Sequence, residues 1–210
     1  MLLPVRCPGC GALGRALCPP CAATLRPAPS LPAPASVEQC LAALSYEGVA
    51  RDLVAKLKYR NHRDALAGLA AAMAALVPDP VRYDAVTWAP TTPARRRRRG
   101  FDHAELLARQ VARRTARPCR DLLLRHPGLP QTGRSRSERG LGPVFTARGL
   151  CPPTVLLVDD VVTTGGTVSA AALALRSAGA LQVTVLAAAR TPIVRLWGPP
   201  PRRPQDDRRA

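Results

Sequence analysis

The apolar positions fall into two rhythms, and their order along the chain predicts the architecture. Residues 155–158, Val-Leu-Leu-Val, form an uninterrupted apolar run, the pattern of a parallel strand buried on both faces. It predicts a strand there, then the loop DDVVTTGGT, a helix from about Thr167 to Ala178 closed by Gly179, and a further strand over Val183 to Ala188. Strand, loop, helix and strand make a βαβ unit. Upstream, Cys40 to Tyr46 reads as a short strand ended by Glu47-Gly48. Val49 to Arg60 has apolar residues at 49, 50, 53, 54 and 57, a helical period. His62 to Val77 is an Ala-rich second helix stopped by Pro78, and Asp84 to Ala89 is a strand. The loop PTTPARRRRRG then leads into a helix with a complete start signal. Asp102 is the N-cap with Glu105 three residues on as a capping box, Phe101 and Leu106 form a hydrophobic staple, and Ala104, Leu107, Ala108 and Val111 form the apolar face. Leu122 to Leu124 is a candidate short strand, and Arg125 to Leu150, without a clear period, reads as loop. This order of elements predicts an α/β fold, a parallel sheet flanked by helices.

Length and composition set the scale. The 210 residues fit one ordinary α/β domain with a small appendage, and the 47% apolar fraction supports a real core. Aromatics are only 3%, so that core must be built from Leu, Val and Ala. Residues 27–36 hold four prolines and predict an extended linker between an N-terminal module, 1–26, and the main domain, 37–194. Residues 195–210, with four prolines and seven charges, read as a disordered basic tail. The longest uncharged apolar run, Ala65 to Val77, is 13 residues, short of the roughly 20 a spanning helix needs, so no membrane insertion is expected. The start, MLLPVRCPGC, has no apolar export core before its first Cys, and a cytoplasmic location is expected.

Charge adds a location. The net charge is +17, and 29 of the 31 basic residues are Arg, which codon bias alone could produce. The distribution is more informative: +11 of the excess lies in residues 81–150. A partner or substrate with several negative charges would be drawn to that block.

Two clusters carry candidate chemistry. Cys7 and Cys10 form one C-x2-C and Cys18 and Cys21 a second, and in a reducing compartment two such knuckles make the closed four-cysteine sphere of structural Zn2+. The alternatives are a redox C-x-x-C, which needs no second pair, or chance clustering. The other cluster is Asp159-Asp160 at the carboxyl end of the apolar strand, followed by Val161, Val162, Thr163, Thr164, Gly165, Gly166 and Thr167. Free N–H groups at the helix start, two glycines for close approach and three hydroxyls build a monophosphate cradle. The paired carboxylates suit the two hydroxyls of a ribose, with a divalent cation nearby. The plainer alternative is an ordinary strand-to-helix turn in which the acids cap the helix.

The thirteen residues VLLVDDVVTTGGT, 155–167, resemble the phosphoribosyl pyrophosphate (PRPP) signature of type I phosphoribosyltransferases. With the paired CxxC, LSYEG at 44–48, LKYR at 57–60, RRRGFDHAELLA at 97–108, and Gln131 with RSRSER at 134–139, the chain resembles the ComF family over about residues 7–191. That family joins a zinc ribbon to a phosphoribosyltransferase-type domain and is linked to natural competence. The resemblance implies that Asp159 and Asp160 contact the ribose hydroxyls and that Thr163 to Thr167 hold the 5'-phosphate. It makes Thr91, Thr92, Arg95, Arg96, Arg97, Arg98 and Arg99 candidates for the pyrophosphate. It further implies PRPP with Mg2+ as ligand, transfer of phosphoribose to an unknown acceptor, and single-stranded DNA or a competence helicase as possible partners; a non-catalytic PRPP-binding or DNA-binding factor is the alternative. Taken alone, the Arg run reads as a solvated basic stretch. The segment RSERGLGPVF lacks the Asn usual after this Ser/Arg motif, and FDH replaces the more usual FNQ. Among the three histidines, only His103 is close in sequence to a predicted substrate loop.

Overall fold

The computed structural model describes residues 6–14, 17–57, 63–78, 83–127 and 143–192. Lys58 to Arg60, Gln131, the RSRSER segment and the basic tail lie outside the described residues. Four strands form one sheet in the order β1-β6-β5-β2: β1 (Gln39–Ser45), β2 (Ala85–Trp88), β5 (Thr154–Val162) and β6 (Gln182–Arg190). Every neighbouring pair is parallel, with Ala85 to Trp88 opposite Val155 to Val158, and Thr154 to Val162 running along Gln182 to Arg190. The remaining strands, β3 (Leu123–Arg125) and β4 (Phe145–Ala147), form a separate antiparallel pair.

The alternation of side chains along β5 explains why that strand is wholly apolar up to Val158. Leu156 and Val158 face one layer, where they meet α2 (Gly48–Lys56), α3 (Arg63–Ala74) and α5 (His103–Arg114) through Leu53, Val54, Leu69, Met73, Leu107 and Val111. Val155 and Leu157 face the other, against Val168, Ala171 and Leu175 of α6 (Gly166–Ser177) and Leu123 and Phe145 of the β3–β4 pair. With both faces covered, the first half of β5 beyond Thr154 carries no polar residue, and its carboxylates come only at Asp159 and Asp160. Burying one Leu on such a strand stabilises the fold by about 1.5–3 kcal/mol.

Several expectations need correction. The loop PTTPARRRRRG contains a helix, α4 (Pro93–Arg99), whose first turn is set by Pro93 and by Thr92, which accepts from the Arg95 N–H at 3.4 Å. Strand β5 does not stop at Val158 but carries Asp159 to Val162 as its last four residues, because Asp159, Val161 and Val162 still find ladder partners on β6. The stretch 125–150, expected as loop, includes β4, too short for a period to show. Asp102 caps α5 as expected, accepting from Ala104 N–H, but Glu105 forms no reciprocal cap and instead pairs with Arg96 and Arg109. The Pro-rich segment 27–36, expected as an extended linker, lies against the main sheet. Ala28 donates to Ala43 O and Ser45 to Arg26 O along the open edge of β1, and Arg190 reaches Leu31 and Pro32.

The C-terminus of α5 ends in a Schellman arrangement, with Arg117 N–H on Ala112 O and Ala116 N–H on Arg113 O, but the left-handed position is Ala116 at φ 51°. Glycine normally fills this place because an L side chain there is strained. Ala116→Gly is therefore expected to stabilise the protein by about 0.5–1 kcal/mol in chemical denaturation, with an unchanged m-value.

Candidate functional site

Because all four main strands are parallel, their carboxyl ends share one edge, and a cavity of about 290 Å³ opens there. Each wall comes from a different element. Tyr46 follows β1; Ala89 and Thr91 follow β2; Arg95 and Arg99 come from α4; Asp102 and His103 open α5; Arg125 ends β3; Asp159, Asp160 and Val161 end β5; and Thr163 and Thr167 lead into α6.

The Arg run is sorted by helical spacing. Arg95 and Arg99, four apart, share the face of α4 that lines the cavity. Arg96 turns toward α5 and pairs with Glu105 at 3.1 Å, while Arg97 and Arg98 are exposed and absent from the cavity wall. Two of the five arginines therefore belong to this site. Asp102 holds the wall in place: one carboxylate oxygen accepts Thr91 N–H at 2.6 Å and the other Ala104 N–H at 3.1 Å, tying the loop after β2 to the start of α5.

Arg125 was not legible as a site residue. Its guanidinium lies 5.4 Å from the Phe145 ring centroid and donates to Pro90 O at 3.4 Å, so β3 delivers a third guanidinium beside Arg95 and Arg99. Burial, and then the neighbouring Arg95, push its pKa below the usual arginine value. A single Arg after two leucines carries no periodic signal; only its position closing a short predicted strand could have drawn notice. Asp102 was legible as a cap but not as a cavity wall. His103, 4% exposed, packs edge-on to Phe101 at 5.1 Å between ring centroids.

The carboxylates sit in contrasting environments. Asp159 is 7% exposed and its Oδ1 accepts Asp160 N–H at 2.9 Å, while Asp160 accepts Val161 N–H at 2.8 Å. Burial, then the Asp160 charge, push the Asp159 carboxyl well above its ordinary value. Burial also raises Asp102, against the opposing N–H bonds from Thr91 and Ala104. Of the predicted cradle, Thr163 and Thr167 line the cavity; Thr164, Gly165, Gly166 and Val162 are not on its wall. Gly165, at φ 84°, caps α6 from the left-handed region. Thr92 likewise stays outside the wall and works as the cap of α4.

The four cysteines form a second, separate cluster. Their sulfur atoms all lie within 4.8 Å of one another, with Cys10 and Cys18 at 3.5 Å; tetrahedral Zn2+ at its usual sulfur distance places sulfurs about 3.8 Å apart. The first knuckle is closed by Cys7 N–H on Ala12 O and Gly11 N–H on Cys7 O, the second by Cys18 leading into α1 (Pro19–Ala22). Gly9 has no room for a side chain: a Cβ would lie 2.7 Å from Cys21 Sγ and 2.9 Å from Val49. Backbone N–H groups of Cys10 and Cys18 bring the Cys7 thiol down to about 6, while hydrogen bonding to Cys18 and then burial push Cys21 up to about 12. Four thiol sulfurs this close make a donor set that one tetrahedral divalent cation fits. The cluster rests on the main domain, with Lys56 Nζ donating to Cys7 O at 3.4 Å.

The fold and the site together describe an α/β protein whose ligand end is the carboxyl edge of a doubly covered parallel sheet. No protein-family model matches the chain, and no curated protein matches it. Among solved structures it is similar to one described as the allosteric regulatory enzyme of purine biosynthesis, at 24% identity and a TM-score of 0.45, over 64% of this chain and 30% of that one. It is also similar to a purine phosphoribosyltransferase from Pyrococcus horikoshii Ot3, at 15% identity and a TM-score of 0.33, over 70% of this chain and 74% of that one. No helix among the described residues is long and apolar enough to cross a membrane.

Two outcomes are expected. A carboxyl whose pKa is raised by folding binds its proton more tightly when folded, so its contribution to stability is full below about pH 4 and is lost as pH rises through the folded-state pKa. Asp159→Asn should therefore raise Tm at pH 7 and leave it unchanged below about pH 4, as read by thermal scans across that range. For the cysteine cluster, the purified protein should carry one Zn2+ per chain by elemental analysis, and Cys7→Ser should lose it; stoichiometric metal in that variant would refute the site.

Proposed function

We propose that the protein binds PRPP with Mg2+ and transfers its phosphoribosyl group to an acceptor, releasing pyrophosphate. The observation that carries this reading is the cavity that joins Asp159, Asp160, Thr163 and Thr167 with Arg95, Arg99 and Thr91. The start of α6 offers hydroxyls and N–H groups, the chemistry of a monophosphate seat. Asp159 and Asp160 offer two carboxylates to ribose hydroxyls. Helix α4 and strand β3 offer guanidinium groups, whose permanent charge and planar donors suit a diphosphate. Mg2+ would enter on the substrate's own phosphate oxygens, as this cation usually does, and compensate their charge.

The reaction breaks the bond from the anomeric carbon to the pyrophosphate oxygen, which leaves with the bonding electrons. The acceptor's lone pair forms the new bond as positive charge develops on the sugar ring. Protein groups lower the barrier chiefly by holding the leaving diphosphate among fixed charges and keeping the sugar in line. Arg95, Arg99 and Arg125 would perform the first task. Asp159 and Asp160, anchored by their own backbone bonds, would perform the second. The N-terminal cluster, loaded with Zn2+ on Cys7, Cys10, Cys18 and Cys21, would cross-link the two knuckles and take no part in the chemistry.

The ComF resemblance supports a cytoplasmic role in DNA uptake. A second reading, binding of single-stranded DNA, is favoured by one observation: Arg97 and Arg98 are exposed and lie outside the cavity wall. Phosphate contacts by two arginines would give that binding a modest salt dependence, a log–log slope of about −1.4 on single strands.

PRPP with Mg2+ is expected to raise Tm by several degrees at a ligand concentration about a hundredfold above Kd, and Asp160→Ala should abolish the shift. Pyrophosphate release, screened across nucleobase, amine and nucleic-acid acceptors, identifies turnover. A wild-type Tm indifferent to PRPP would sink the reading.

A further inference from the structure

Gly165 stands at the turn between β5 and α6, and the Pro-rich segment lies directly on it. A Cβ at Gly165 would be 2.7 Å from Pro34 Cγ and 2.8 Å from Pro34 Cβ, so the glycine's bare face is where the proline ring sits. Nothing about a flexible linker requires such contact. The segment is held on both sides of it. Before Pro34, the buried Arg190 at the end of β6 donates to Leu31 O at 3.1 Å and to Pro32 O at 2.6 Å. After Pro34, Val37 N–H closes a turn on Pro34 O, and Arg176 Nε in the last turn of α6 donates to Ser36 O at 3.1 Å. Arg176 also pairs with Glu38, whose other oxygen accepts Val183 N–H at 2.6 Å while its own N–H donates to Val183 O.

The backbone of that turn is itself strained. Ser36 has φ 64°, a region in which an L residue is uncommon, and it stays there because Arg176 and Glu38 fix the chain around it. A buried guanidinium on two carbonyls, a strained turn and a proline ring against a glycine make an over-determined strap, and the strap ends on the one turn of α6 that faces the cavity. Arg190 suits the task because its planar fork fixes two consecutive carbonyls at once.

We infer that residues 31–38 form a strap that positions the phosphate-binding turn, with Pro34 as a positioning residue that holds Gly165 and thereby Thr163 and Thr167 in register with the cavity. This rests on the reading of that turn as the seat of the 5'-phosphate. Pro34 does not itself line the cavity and lies against Gly165, so its effect on a ligand should pass through Gly165. It should therefore alter affinity for the phosphate end of the ligand and leave the diphosphate end alone.

The test uses the full chain and two probes, ribose 5-phosphate for the α6 end and inorganic pyrophosphate for the arginine end, each titrated by calorimetry. Pro34→Gly should weaken ribose 5-phosphate binding about fivefold or more and keep pyrophosphate binding within about twofold. Gly165→Ala should weaken ribose 5-phosphate further, and the double variant should lose less than the product of the single losses, because the added methyl no longer meets the ring. Arg176→Leu, which frees the other end of the strap, should reproduce the selective loss. Unchanged ribose 5-phosphate affinity in Pro34→Gly, or equal weakening for both probes, overturns the strap. A wild-type protein that binds neither probe overturns the site reading and the strap together, whereas wild-type binding with an indifferent Pro34→Gly overturns the strap alone.

Discussion

A carboxyl group buried at the end of a doubly covered strand is the constraint on which the site depends. An isolated carboxylate in that position costs several kcal/mol, so it must either keep its proton or acquire compensating charge. Burial and the neighbouring Asp160 charge both push Asp159 toward the first: its pKa is raised, and Asp160 makes full ionisation harder. Three guanidiniums surround the same cavity, but Arg95 is exposed and Arg99 and Arg125 are only half-buried, so water weakens their compensation. The site is therefore costly when empty. A ligand bringing hydroxyl donors to the carboxylates and anionic oxygens to the arginines relieves both demands at once, which is how a preorganised polar site trades stability for binding.

The α4 helix shows how a run of identical residues can be divided among tasks without any change of residue type. Five consecutive arginines on a helix spread around its axis, and positions three or four apart lie on the same side. Arg95 and Arg99 meet the cavity, Arg96 is held by Glu105, and Glu105 is held in turn by Arg109, which lies over Trp88. The expected capping-box role of Glu105 yields to this pairing because two guanidiniums compete for its oxygens. Exposed pairs of this kind contribute little to stability, about 0–1 kcal/mol each, but they fix where α4 sits relative to α5.

What the chain disclosed in advance follows from which signals are local. The apolar run 155–158, the Asp102 cap, the paired CxxC and the helical periods around Leu53 and Leu107 each lie within a few residues, and all appear in the structure at the expected places. The β4 strand and Arg125 were hidden because three-residue strands show no period, and their burial comes from Phe145 meeting α6 across the fold. Helix α4 was hidden because nothing on it is buried, so no apolar stripe marks it. The length of β5 was hidden because Asp-Asp looks like a strand stop, yet the ladder to β6 continues through Val162. The prolines of 27–36 predict an extended linker, but composition carries no information about what such a segment lies against.

The two ends of the cavity are mounted differently, and that difference bears on the proposed chemistry. The α6 end rests on the nine-residue β5, the helix behind it and the segment clasped by Arg190, Arg176 and Glu38. The arginine end rests on a two-turn helix with no buried residue and a three-residue strand pair. Local opening costs least where few buried contacts must be broken, so the arginine end yields first. In a displacement at the anomeric carbon, the sugar phosphate must stay registered while the diphosphate departs. A rigid seat for the group that stays and a looser mounting for the group that leaves satisfy both needs, and β5 supplies the fixed reference because, like β6, it has neighbours on both sides and a covered core on both faces, and it is the one of the two that carries Asp159 and Asp160.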